Sequence, residues 1–372
     1  MSLAFRALDP NHNPTTSVNS RAPWPGNCTG IAVWLCAKRG VSGDASVGEK
    51  PSGVLPPVMR ARFPVWSLCV TVGLVACATT PVQSTVPHAP TSDKLAELWV
   101  RPERGRDLFN GVGGARLAPD PSVTYTVIDM KRSGFSRGYT LKDPHDREWS
   151  AKFPPEATTE VAASRILWGV GYHQPPIYYL AEWNAAHAPS PNPQLPARFR
   201  EKSPDFHGLD AKESWSYYGN PFAGTREMKG LLVIQAMLGN SDLKDQQNVV
   251  YELKQPVEGA KRWYVARDLG QSFGRTGVID APRGDPAVFE KTPFITGVVK
   301  GKVQFDYRGR HRVLFENISP GDVRWACEQL RALSDQQWRD AFRAGGFSAS
   351  IAERFIRRMK QKIDEGLAVK DS

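Results

Sequence analysis

The chain has 372 residues, 41% of them hydrophobic and 23% charged, which excludes a wholly disordered protein and leaves room for one large or two ordinary domains. Forty-eight Lys and Arg against 38 Asp and Glu give a formal charge of +10, a balance that invites a nucleic-acid or membrane-surface partner. Five cysteines are an odd count and exclude a complete disulfide framework.

Residues 1–58 are rich in Gly, Pro and Ser, as in Arg21-Ala-Pro-Trp-Pro-Gly, and carry no sustained helical or strand period. Met59 opens a different pattern. Arg60 and Arg62 supply positive charge, residues 63–76 form an uncharged apolar run, and a polar, Pro-containing stretch follows. That is the order of a secretory signal, and the run is shorter than the roughly 20 residues a membrane-spanning helix needs. Leu74-Val-Ala-Cys77 resembles a bacterial lipobox. The resemblance implies cleavage before Cys77, a covalent lipid on its sulfur, and membrane attachment through that anchor. With Ala78 next, it implies a cell-envelope protein on the periplasm-facing outer membrane. Residues 1–58 then read as an over-extended frame, 59–76 as the signal peptide and 77–93 as a flexible tether. Residues 1–76 hold seven Lys/Arg and three Asp/Glu, so much of the basicity leaves with them and a nucleic-acid partner is not expected. Cys28, Cys36 and Cys69 leave as well, and with Cys77 lipidated only Cys327 remains, so no intrachain disulfide is expected.

From residue 94 the composition is globular. Residues 122–130 are β-branched and aromatic and predict a strand, 138–142 a second, and 148–153 an alternating third stopped by Pro154-Pro155. The period then becomes helical through Ala163, Ile166, Leu167 and Val170, with a start near Glu156 and an end at Gly169 or Gly171. Residues 176–181 predict a fourth strand. Residues 185–205 carry five prolines and read as a linker or surface insertion. A second helix spans 225–238, capped by Gly239-Asn240. A hairpin pairs 249–253 with 263–266, and helices over 320–333, 334–344 and 348–365 close the chain. The Lys and Arg of the last helix read as a solvated face. This makes an α+β, two-lobed chain: 94–184 as a small antiparallel sheet with one helix, and 206–372 as a mainly helical second lobe.

Chemistry-bearing residues fall in an ordered set. Lys152 ends the third strand, and Glu160 lies on the next helix, sharing a face with Ala163, Ser164 and Leu167. Asp242 and Asn248 follow the second helix, and Asp268-Leu-Gly270 follows the hairpin. Phosphoryl transfer asks for these residue types: a Lys on the phosphates, an anion to hold it, an Asp to orient the acceptor, and oxygen ligands for a divalent ion. Here the chain resembles the protein-kinase-like superfamily in its atypical branches (HipA-like, phosphatidylinositol-kinase-like and secreted-kinase-like). The resemblance implies a two-lobed kinase-like fold, with ATP or another phosphate donor held with Mg2+ or Mn2+. It gives phosphate binding to Lys152, pairing to Glu160, catalysis to Asp242, metal ligation to Asn248 and Asp268, and a phosphate-covering turn to Gly134, Ser136 and Gly138. The acceptor it implies is an unidentified protein, lipid or glycan. Asn248 stands six residues after Asp242 where the common kinase spacing is five, which leaves Gln247 and Asp245 as alternative ligands. The catalytic-loop His is absent, and the turn lacks the full Gly-x-Gly-x-x-Gly pattern.

Two other functions compete. An envelope carries little ATP, so a non-catalytic, pseudokinase-like lipoprotein acting as a binding or assembly module is the alternative. Gly134-Phe-Ser136-Arg-Gly138 also matches a hydrolase nucleophile elbow, which requires a strand-to-helix turn; the strand-like residues after it favour a hairpin with a glycine at positive φ. Scattered histidines, with no Cys-x-x-Cys, argue against a zinc site.

Overall fold

The computed structural model describes residues 90–103, 105–131, 135–188, 195–277 and 281–371. The expected signal peptide, the lipidation site Cys77 and Gly134 lie outside them.

A short helix α1 (Ser92–Ala96) opens the described chain, started by Thr91, whose hydroxyl accepts from the Lys94 amide. The β-branched run forms β1 (Thr124–Lys131), and the next two alternating segments form β2 (Gly138–Lys142) and β3 (Glu148–Lys152). Helix α2 (Glu156–Gly169) follows, then β4 (Tyr178–Leu180), β5 (Asn184–Ala186) and β6 (Ala197–Glu201). These six strands make one sheet in the order β4-β6-β3-β2-β1-β5, antiparallel throughout except where β5 lies parallel to β1. Alternation sends Tyr125, Leu141, Trp149, Ala151 and Phe199 to one face, where Trp183 completes an aromatic core. Trp149 satisfies its indole N–H on Asp143, 3.1 Å away.

The rest of the chain gives β7 (Asp210–Glu213), α3 (Arg226–Leu238), β8 (Val249–Val257), β9 (Ala260–Val265), α4 (Pro286–Lys291), β10 (Ile295–Val299), β11 (Lys302–Phe305), α5 (Pro320–Arg331), α6 (Asp335–Ala344) and α7 (Ala349–Leu367). Strands β7, β8 and β9 form a second sheet, and β10 pairs with β11. Local signals set the helix bounds. Thr225 caps α3 and left-handed Gly239 ends it; Ser319 and Ser334 form capping boxes at α5 and α6. The core of this lobe is a ring cluster of Phe273, Phe289, Phe342 and Phe355, with Phe342 and Phe355 stacked at 5.5 Å. Cys327 is buried in the same core, and burial pushes its thiol up to about 12. No helix among the described residues is long and apolar enough to cross a membrane.

Helix α2 joins the lobes. It is buried on nearly all sides, packing on β4 and β6 in one direction and on α6 and the turn at Leu269–Gln271 in the other. A helix enclosed this way has no solvated face, its polar side chains meet protein partners, and small Ala157, Ala162 and Ala163 let the neighbours approach.

Of the Pro-rich stretch read as a linker or insertion, residues 185–186 in β5 and 197–201 in β6 belong to the six-stranded sheet. Residues 94–117 do not extend the sheet. They run as a strap on the helical lobe and α2, with Leu98 and Leu108 in the large core and Trp99 donating to the Val170 carbonyl at 2.7 Å. The hairpin is longer than its apolar pattern, because β8 and β9 continue as polar strands to the turn at Glu258-Gly259.

Candidate active site

Five elements bring charged side chains to the junction of the six-stranded sheet and the helical lobe. Lys152 ends β3, beside Gly138 of β2 and Arg198 of β6. Gly138 has ordinary strand backbone, so the positive-φ glycine expected of this turn is not at this position. What it lacks is room: a Cβ there would stand 2.3 Å from the Ala151 carbonyl oxygen. The close approach fixes where Lys152 leaves the sheet.

The Lys152 ammonium lies 2.8 Å from Glu160, 3.5 Å from Glu156, and in direct ion-pair contact with Asp268. Burial alone would lower its pKa, but Glu160 and Asp268 outweigh burial and raise it. Glu160 carries a second cation: the Arg198 guanidinium lies 3.1 Å from its other oxygen and donates to the Ser150 carbonyl at 3.0 Å. Burial would raise the Glu160 carboxyl, yet Arg198, Lys152 and Arg200 together hold it well below the usual carboxylate range. Both members of the Lys152–Glu160 pair are therefore charged.

Asp268 adopts the left-handed conformation, φ 59°, which Asp tolerates better than most residues. The turn it starts is pressed against α2. A Cβ on Gly270 would stand 2.6 Å from the Glu156 side chain, and Thr159 donates to the Gly270 carbonyl at 2.7 Å. The Gly of Asp-Leu-Gly thus lets α2 approach, which sets Asp268 opposite Lys152.

After α3 the chain turns through Asp245–Gln247. Gln247 reaches both acidic groups: its amide nitrogen lies 3.0 Å from Asp242 and 2.8 Å from Asp268. Asp242 also meets Lys244 at 2.7 Å and Arg310 at 3.2 Å. Burial would raise its carboxyl; hydrogen bonds from Lys244 and Gln247, with the charges of Lys244 and Arg310, lower it.

The two other metal-ligand candidates of this loop point elsewhere. Asn248 is buried and donates to the Trp215 carbonyl at 3.1 Å, and Asp245 accepts from the Tyr217 amide at 3.1 Å. In this geometry Asn248 does not face Asp268. A one-residue step in a tight turn carries a side chain from the cleft into the core, and Gln247 holds the cleft position. Sequence reading also missed Arg198, hidden in a Pro-rich stretch, together with Arg310 and Arg283, which lie in loops without period.

Among the described residues no three His, Cys, Asp or Glu side chains cluster as a metal site. The oxygen set here is two carboxylates and one carboxamide. Gln247 presents its amide nitrogen to Asp242 and Asp268, and its Oε1 is buried with no hydrogen-bond partner, so the carboxamide would offer its oxygen to the cleft if it turned over. That set suits Mg2+ or Mn2+, which take oxygen ligands and keep several waters.

Ser136 lies in the connection between antiparallel β1 and β2, its hydroxyl buried and unpartnered. A nucleophile elbow needs a helix after the strand, so the hydrolase function is set aside.

A Lys on the third strand, its Glu on the following helix, and two Asp from the second lobe meet between the lobes.

No family model matches the chain, and no curated protein matches it. Two solved structures share its outline. A Helicobacter pylori proinflammatory kinase, CtkA, is 12% identical with a TM-score of 0.39, covering 66% of this chain and 94% of that one. The Golgi casein kinase with Mn/ADP bound is 12% identical with a TM-score of 0.33, covering 68% of this chain and 74% of that one. At these scores the likeness is one of outline, and the functional reading rests on the residues of this chain.

Proposed function

We propose that this domain is an atypical kinase-like phosphotransferase that takes ATP or another phosphate donor, with Mg2+ or Mn2+, between its lobes. The observation that carries the reading is the convergence of Lys152, Glu160, Asp268 and Asp242 from four separate elements on one cleft. Lys152, kept charged by Glu160, binds the donor's phosphates. Asp268 would hold the metal ion, joined by Gln247 once its carboxamide oxygen faces the cleft, and the ion would supply neutralisation of charge developing on the transferred group. Asp242 orients the acceptor hydroxyl and accepts its hydrogen bond; its lowered pKa suits positioning more than strong general-base action. Arg198 is a positioning residue acting through Glu160.

The lipid anchor at Cys77, the tether over 77–93 and the outer-membrane address belong to the same proposal and rest on the signal-like sequence alone. On that placement the acceptor is an envelope protein, lipid or glycan.

One observation favours the alternative, a non-catalytic binding module. The Asp242 carboxylate is already matched by Lys244, Arg310 and Gln247, an arrangement that also serves a purely structural loop. The first test is thermal-shift titration of the full chain with ADP or ATP and each metal. Metal-dependent stabilisation, about 2.7 kcal/mol at a hundredfold excess over Kd, is expected for the native chain and is lost in Asp268→Ala. Absence of any shift overturns the phosphotransferase and leaves the non-catalytic module. Binding without transfer of labelled phosphate to envelope extracts, or hydrolysis, selects the non-catalytic one.

A further inference from the structure

Glu156, the first residue of α2, has a carboxylate shared between two cations. One oxygen lies 3.5 Å from the Lys152 ammonium and the other 2.5 Å from Nη1 of Arg283. Arg283 comes from the segment after the Asp268 turn. That segment is folded back on itself: the Arg275 amide donates to the Pro282 carbonyl at 3.2 Å, and the Gly284 amide to the Ser272 carbonyl at 3.1 Å. This return brings Arg283 inward until only 6% of its side chain is exposed. Its guanidinium lies 3.6 Å from the ring centroid of Phe135, in the connection between β1 and β2. Ser136, the next residue, has a buried hydroxyl without a partner.

A guanidinium and an ammonium bridged by one small oxyanion is the arrangement that binds a phosphate group. Arg283 is also poorly placed as a purely structural cation, since burial costs it hydration and its anion is one that Lys152 shares. We propose that Arg283 is a second phosphate-binding residue, and that the Glu156 carboxylate occupies the phosphate subsite between Arg283 and Lys152 until a phosphate displaces it. Glu156 is thereby an internal competitor that sets affinity, and Phe135 holds the guanidinium plane toward the site from above. This rests on the reading of the cleft as a phosphate site, and it adds a cation that lies outside the Lys152, Asp242 and Asp268 set.

The test uses the full-length chain and two probes, inorganic tripolyphosphate and Mg·ADP, followed by calorimetric titration. Glu156→Gln removes the competing charge and keeps the shape. It is expected to tighten tripolyphosphate binding by roughly tenfold, whereas Arg283→Ala weakens it by at least as much. Arg283→Lys, which keeps the charge and loses the fork, falls between the native chain and Arg283→Ala and carries the test if the alanine variant melts early. The inference is overturned if Glu156→Gln binds no tighter than the native chain, if folded Arg283 variants bind as well as it does, or if no variant binds either probe. The two readings separate cleanly. Mg·ADP binding that is indifferent to Glu156 leaves the phosphotransferase proposal standing without this one. Tripolyphosphate binding that follows the pattern, with no response to nucleotide, keeps the anion subsite and removes the phosphotransferase.

Discussion

Glu160 is a carboxylate almost out of contact with water, holding a lysine on one oxygen and an arginine on the other. Replacing it leaves Arg198 buried without its anion beside Lys152, which keeps Asp268 and Glu156, and breaking a buried pair from one side costs about 3–5 kcal/mol. Glu160→Gln is therefore expected to lose about that much stability at pH 7, by urea denaturation. The pH dependence has a definite sign. The folded pKa of Glu160 lies below its unfolded value, so the stabilisation is present above about pH 4.3, the unfolded carboxylate range, and is lost as pH falls toward the folded value. The gap between native and Glu160→Gln proteins should begin to narrow below about pH 5 and go on narrowing as pH falls toward the folded value; a constant gap would show that the charge of Glu160 contributes nothing. At this scale the sequence was partly legible. Lys152, Glu160, Asp242 and Asp268 stand at the ends of elements with clear periods, so their places could be anticipated. Gln247 could only be offered beside Asp245 and Asn248, because a tight turn decides by a single residue which side chain faces the cleft.

Elements carry the next constraint, and β2 against β3 is the tightest of them. Gly138 pairs with Lys152 and has the Ala151 carbonyl where a Cβ would go. Gly138→Ala must push β2 off β3, disturbing the strand end from which Lys152 reaches Glu160 and Asp268. A loss of roughly 1–3 kcal/mol is expected from the overpacking. Nucleotide binding should weaken by more than that melting change alone explains, since the displaced residue is the phosphate lysine. A variant that melts lower yet binds with native affinity would show that the site does not depend on this register. Elements with a strong local period, β1 to β3, α2, α3 and α5 to α7, were readable because burial imposes alternation or helical spacing on them. Strands β5 and β6 were not, because prolines and a short length mask the pattern, and so the residue Arg198, which β6 delivers to Glu160, went unread. Polar β7 is almost wholly exposed and carries no burial signal to read.

At the scale of the whole molecule, the strap over residues 91–117 ties the joint between the lobes. Its packing is not periodic, which is why composition placed these residues with the sheet and the structure places them across α2 and the helical lobe. The α1 end pairs with β9 through the Tyr264 amide on the Glu97 carbonyl at 2.9 Å. Trp99 stacks edge-on with Trp325 of α5 at 5.3 Å and bridges to Tyr172. Farther along, buried Arg165 of α2 donates to the Asn110 carbonyl at 3.0 Å and to the Ile177 carbonyl at 2.7 Å, and Tyr178 of β4 donates to the Gly114 carbonyl at 2.8 Å. One strap therefore gives the buried Arg165 guanidinium one of its two carbonyl acceptors and ties β4 and α2 to the lobe that supplies Asp242 and Asp268. Removing it takes the Asn110 acceptor from Arg165 and deletes the buried Leu98, Leu108 and Val112, with Trp99, from the core they fill. Losing two or three buried apolar side chains, at about 1.5–3 kcal/mol each, consumes a large share of the 5–15 kcal/mol that stabilises an ordinary domain. A chain beginning at Ala118 is expected to lack a cooperative thermal transition by circular dichroism, although every residue of the candidate site is still present. If it melts cooperatively within a few degrees of the full chain, the strap is an accessory and the lobes are held by α2 alone.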